Sequence, residues 1–232
     1  RPYAVYAQIE IMYANNRFEA IRKNFTDVDI TEWPEELIGK TAFLRGRAFS
    51  RSTQVRRKYG RKAMADFALC VKHLEPSQRM WPKSVNWLGS LQREYKGDDA
   101  ALQTYREAFD VYDKGLRWRG TGYQGSTVRS AAEILMEKGK YQDALAILTK
   151  YDITHWLQTA YVRIMTGDVY TKLAEQAEGE EKAAYREKAL AEYRTALEVN
   201  EKYAETRPRF KQNFERTRQQ AKEKIKKLQG DK

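Results

Sequence analysis

Ala189-Leu190-Ala191-Glu192-Tyr193-Arg194-Thr195-Ala196-Leu197-Glu198-Val199-Asn200 sets small residues at 189 and 196 with an aromatic between them at 193. Spacings of four and then three put all three on one stripe of a helix. The alanines let a second helix come close, and Tyr193 fills the space between. The pattern returns at Ala63–Phe67–Cys70 and Ala101–Tyr105–Ala108, and Ala144–Leu148–Tyr151 keeps its first two positions. A stripe repeated along one chain is the mark of stacked helical units.

Each stripe follows an earlier helix and a turn signal. Gly89 precedes Ala101 by twelve residues, with Lys96-Gly97-Asp98 between; Ala132 precedes Ala144 by twelve, with Lys138-Gly139-Lys140-Tyr141 between. Gly167-Asp168-Val169-Tyr170 plays the earlier part for Ala189, after a long insertion from Ala174 to Lys188. The unit is helix, tight turn, helix. Glu137-Lys138-Gly139-Lys140-Tyr141-Gln142-Asp143-Ala144-Leu145 resembles the turn and second-helix opening of tetratricopeptide repeats, and residues 189–200 are similar to that family's second helix and exit. The stripes start 38, 43 and 45 residues apart, against the family's period of about 34. The first unit, around Phe18-Glu19-Ala20-Ile21, fits loosely. Armadillo- and HEAT-like solenoids stay open as structural alternatives.

The expected fold is therefore all-α: one domain over 1–232, a right-handed α-solenoid of about five helix-turn-helix repeats. Tyr203 to Leu228 reads as a polar capping helix over 203–229, its apolar positions being Phe210, Phe214, Ala221, Ile225 and Leu228. Composition agrees. The chain has 26 Ala, only 5 Pro and 13 Gly, and one cysteine, Cys70. Few turn formers and few β-branched residues disfavour an all-β fold. A lone cysteine excludes a disulfide scaffold, and no run reaches the roughly 18 apolar residues of a membrane span. A single Cys fits the cytosol and equally an exported chain. The start at Arg1 rather than Met matches either a fragment boundary or a removed signal.

The net charge is +11. From Lys40 to Lys62 nine basic residues stand with no acid, and from Arg207 to Leu228 nine more stand against Glu215 and Glu223. Clustered charge of this kind is a solvated face, or attracts phosphate polymers, anionic membranes or acidic proteins. The stretch Arg51–Lys62, with Arg51, Arg56, Arg57, Lys58, Arg61 and Lys62, is expected to leave the stack as a loop or protruding helix end, with the next helix opening near Lys62. Its function would be electrostatic docking of an acidic partner.

No catalytic constellation stands out. Gly120-Thr121-Gly122-Tyr123-Gln124-Gly125 matches G-x-G-x-x-G, but no strand precedes it, so dinucleotide binding is not expected. An anion held there beside Arg117, Arg119 and Arg129 is the best enzyme candidate; an inter-repeat loop is the simpler reading. Cys70 and His73 share a helix face, yet Cys70 sits at a packing position and reads as a compact hydrophobe. His155 is the only other histidine, so no zinc set is present. Neither a cofactor nor a metal is expected, and the chain is read as no enzyme.

In tetratricopeptide arrays the first helix of each unit lines the concave side, and the resemblance projects inward residues here. These are Lys83, Asn86, Trp87, Ser90 and Arg93 of unit three; Arg129, Glu133 and Met136 of unit four; and Tyr161, Met165, Asp168 and Lys172 of unit five. Unit two is ambiguous, because Thr41 and Gly46 both suit its small position. Lys83, Asn86 and Arg129 match the carboxylate clamp of some relatives only in part. The resemblance implies a non-catalytic scaffold holding an acidic, apolar peptide or protein segment in this groove. Nucleic acid or another polyanion on the 40–62 and 207–228 segments is the alternative.

Overall fold

In a computed structural model, residues 1–114, 122–151, 153 and 155–230 are described. They form eleven α-helices, with no strand among them. The chain divides into two compact units, Arg1–Arg119 and Gly120–Lys232.

The first unit holds α1 (Pro2–Ala14), α2 (Phe18–Phe25), α3 (Glu35–Phe49), α4 (Thr53–His73), α5 (Met80–Lys96) and α6 (Asp98–Asp113). Pro34 caps α3, and Glu35 and Glu36 occupy its first turn, where the helix dipole favours acids. Helix α3 is buried nearly all round and packs on α1, α2, α4 and α5. Around Phe18–Ile21, where the first unit fits loosely, α2 buries Phe18, Ile21 and Phe25. Between α5 and α6 the chain turns on Gly97 alone, at φ 93°, a conformation glycine adopts without strain.

The stripes are where their spacing puts them. Ala63, Phe67 and Cys70 are fully buried, and Ala101, Tyr105 and Ala108 are within 1% of it. Each large residue is seated against a glycine of the preceding helix. A Cβ at Gly89 would enter the Tyr105 ring, and one at Gly46 would come within 3.1 Å of Phe67. Gly46, rather than Thr41, thus meets the large residue of unit two.

One boundary differs from expectation in this unit. Helix α4 opens at Thr53, not near Lys62, with the Ser52 hydroxyl accepting the Val55 N–H at 3.3 Å. Of the stretch Arg51–Lys62, expected to leave the stack as a loop or protruding helix end, residues 53–62 are instead the first half of α4, because one side of it packs. Tyr59 stacks on Phe49 with centroids 5.6 Å apart. Gly60 is buried against Tyr95, whose hydroxyl donates to the Arg56 carbonyl at 2.7 Å. Arg56 reaches Glu94 at 3.5 Å, and the Arg51 guanidinium lies 4.3 Å over the Phe18 ring.

The second unit holds α7 (Tyr123–Glu137), α8 (Tyr141–Lys150), α9 (Trp156–Gln176), α10 (Gly179–Ala204) and α11 (Lys211–Gly230). Ala189, Tyr193 and Ala196 form one core cluster with Ile164, Ala221 and Leu228. Gly167 of α9 receives the Tyr193 ring as Gly89 receives Tyr105. The insertion read at Ala174–Lys188 is helix: α9 runs on to Gln176 and α10 opens at Gly179. Its alanines, glutamates and lysines are strong helix formers, so both helices lengthen rather than loop out. The helix expected over 203–229 is shorter. Tyr203 and Ala204 end α10, Pro208–Phe210 makes one 3-10 turn, and α11 follows. Pro208 removes an N–H and its ring blocks the preceding turn, so α10 cannot continue.

Candidate functional site

In the first unit Lys83, Asn86, Trp87 and Ser90 lie along one stripe of α5, and α3 meets it with Phe43 and Arg47. Trp87 stacks on Phe67, centroids 6.2 Å apart and planes at 16°, and the Arg47 guanidinium sits 4.5 Å from the Trp87 centroid. The Lys83 ammonium stands 5.9 Å over the Phe43 ring. Partial burial lowers the Lys83 pKa, and the charges of Arg79 and Arg47 lower it further. Arg47 and Lys83 thus share a wall with Trp87 and Phe43. Asn86 is half-buried on that wall and Ser90 is exposed. Arg93 turns away to the α5–α6 corner, where its Nε–H donates to the Asp98 carboxylate at 3.0 Å.

Sequence reasoning missed Arg47 and Arg79. Arg47 was legible in principle: once Gly46 is taken as the packing residue, Phe43 and Arg47 fall on the wall.

Arg45 is a different case. Counted within the basic run, it is 7% exposed and makes a two-pronged pair with buried Asp66, at 2.5 and 3.2 Å. It also donates to the Val28 carbonyl at 2.5 Å and the Phe25 carbonyl at 3.4 Å. Burial pushes the Asp66 carboxyl up to about 6, with Arg45 pulling the other way. Arg45 is therefore structural, joining α3, α4 and the end of α2. Of the docking segment, Arg57, Lys58, Arg61 and Lys62 face solvent, and Lys62 pairs with Asp27 at 2.7 Å.

In the second unit Arg129 and Tyr161 engage each other. The guanidinium lies 4.4 Å over the tyrosine ring and donates to the Gln158 side chain at 3.1 Å, and burial lowers its pKa. Met165 is half-buried on α9. Met136 and Lys172 come together, with Asp168, at a hollow of about 590 Å³. Helix α9 adds Thr171, Ala174 and Glu175; α10 adds Lys182, Arg186 and Tyr193; α11 adds Lys224, Lys227 and Leu228. Asp168 takes the Lys224 ammonium at 2.6 Å and the Tyr193 hydroxyl at 2.7 Å. Glu175 takes Lys172 at 2.6 Å. The contribution of α10 and α11 was not readable from the first-helix projection, which considers only α7 and α9.

Cys70 is fully buried, its thiol donates to the Gly39 carbonyl at 3.1 Å, and burial raises its pKa strongly. That removes the thiolate a nucleophile needs. His155 packs beside Gly122, the left-handed cap of α7, and burial with nearby Arg207 lowers its pKa. Arg117, Trp118, Arg119, Gly120 and Thr121 of the glycine loop lie outside the described residues. Among the described residues no group of three His, Cys, Asp or Glu could hold a metal ion, and no helix is long and apolar enough to cross a membrane. Comparison with protein-family models, curated proteins and solved structures finds no match.

Proposed function

We propose that the chain is a tetratricopeptide-like scaffold, about five helix pairs closed by a last helix, that holds an acidic, apolar segment of a partner protein. The observation that carries this reading is the α3–α5 wall, where Arg47 lies over Trp87 and Lys83 over Phe43. Like charges held close repel, and a carboxylate between them relieves that repulsion. The exposed part of the Trp87 ring takes the apolar side chain next to it. Arg and Trp are also the residues that dominate binding hot spots.

The test is a fluorescein-labelled peptide alternating Glu with Leu and Phe, titrated by anisotropy. Changing Arg47→Gln and Lys83→Gln together should weaken it about tenfold or more, since hydrogen bonds to charged groups are worth about 1.5–3 kcal/mol each. The same peptide with Gln for Glu should bind poorly. Equal binding of both peptides, or no loss in the double variant, would rule the wall out.

One observation favours the polyanion alternative: Arg57, Lys58 and Arg61 are exposed together on α4. That reading requires affinity for single-stranded RNA to fall steeply and linearly in log salt.

A further inference from the structure

The hollow of the second unit has its own chemistry, resting on residues that the wall of the first unit does not use. Its volume, about 590 Å³, is that of a small-molecule site. Five cations from three stretches of chain line it: Lys172, Lys182, Arg186, Lys224 and Lys227. Against them stand two acids, Glu175 and Asp168, and each is committed, Glu175 to Lys172 and Asp168 to Lys224. Lys182 and Lys227 have no acid partner among the described residues. Arg186 is fixed at the wall by donating to the Leu228 carbonyl at 2.7 Å. Hydrocarbon completes the lining, from Met136, Ala174 and Leu228.

We propose that this hollow binds a phosphate monoester carrying an apolar body, its phosphoryl oxygens taken by Lys182 and Lys227 and its body set against Met136 and Leu228. A lysine ammonium is a compact charge with three donors on a flexible stem, suited to a phosphoryl group that offers three acceptor oxygens. The dianion matches two unneutralised ammonium groups where a single carboxylate would leave one over. Lys182 comes from the first turn of α10 and Lys227 from the last turn of α11, so the ligand would bridge the two helices. Its source is either a free metabolite or a phosphorylated side chain of a partner.

The experiment is calorimetric titration of the full chain with 1-naphthyl phosphate, with 1-naphthol and a phosphotyrosine peptide as parallel arms. The phosphate should bind and the naphthol should not. Lys182→Gln with Lys227→Gln should weaken the phosphate about tenfold or more. Both lysines are exposed, so the double variant keeps the fold. Met136→Trp, which narrows the hollow without touching charge, should also weaken it. Tighter binding of the phosphotyrosine peptide than of the naphthyl ester assigns the site to a partner's side chain; the reverse order assigns it to a metabolite. Absence of heat with both phosphates at millimolar concentration overturns the proposal, as does equal binding of naphthol or full retention by the lysine double variant. The Glu-rich peptide of the previous section is read at Arg47 and Lys83, so either result leaves the other standing.

Discussion

Arg45 and Asp66 face each other as a buried pair, guanidinium to carboxylate through two hydrogen bonds, at the junction of α3 and α4. Removing one partner strands the other charge out of water. Asp66→Ala should therefore cost about 3–5 kcal/mol. A thermal or urea melt of the first unit's helices checks this. A loss no larger than that of an ordinary surface change, about 0.5 kcal/mol, would show the pair to be solvated.

The same pair sets a pH dependence. Burial raises the Asp66 carboxyl from 3.8 to about 6 in the folded chain. A group raised on folding contributes stability that is fully present below its unfolded pKa and is lost as pH rises through the folded one. The stability of the native chain relative to Asp66→Asn should thus decline between about pH 4 and pH 6. Urea midpoints across that window give the sign; a difference that grows with pH would mean Arg45 outweighs desolvation.

Gly89 and Gly167 should resist substitution by alanine. Alanine is the better helix former by about 1 kcal/mol, so an unpacked site would gain stability. Here the new methyl meets Tyr105 or Tyr193. Overpacking of that kind costs about 1–3 kcal/mol, so each melting temperature should fall.

Asp168 holds α9 to α11 through Lys224 and to α10 through Tyr193. Asp168→Ala should loosen α11 first, while Phe214, Ala221 and Leu228 keep it docked. Hydrogen exchange of α11 amides should quicken about tenfold, with the amides of α7 and α8 unchanged.

Much of the helix-pair organisation was legible because it rests on local spacing. Phe67, Tyr105, Leu148 and Tyr193 each fall three or four residues from a small neighbour, and each is buried. What failed depended on partners distant in sequence. Arg45 reads as one more charge in a basic run until Asp66, 21 residues on, is seen beside it. Arg56 to Lys62 reads as an unpacked loop or protruding helix end because Phe49, Glu94 and Tyr95, which fix its inner side, lie on other helices. The hollow escaped for the same reason. Its lysines sit in a first turn and a last turn that look solvated, and only the return of α11 onto α9 and α10 gathers them.

The burial of Cys70 gives the first unit an internal clock. It is the chain's single thiol, enclosed by Gly39 of α3 and Ser84 of α5, and a disulfide reagent can reach it only when α4 lifts from these helices. Under native conditions the modification rate then measures how often α4 opens from α3 and α5, without any label being introduced. Where reclosing is faster than reaction, the rate follows the population of the open form. Binding of an acidic segment across Arg47 and Lys83, on α3 and α5, would slow it in proportion to the fraction bound.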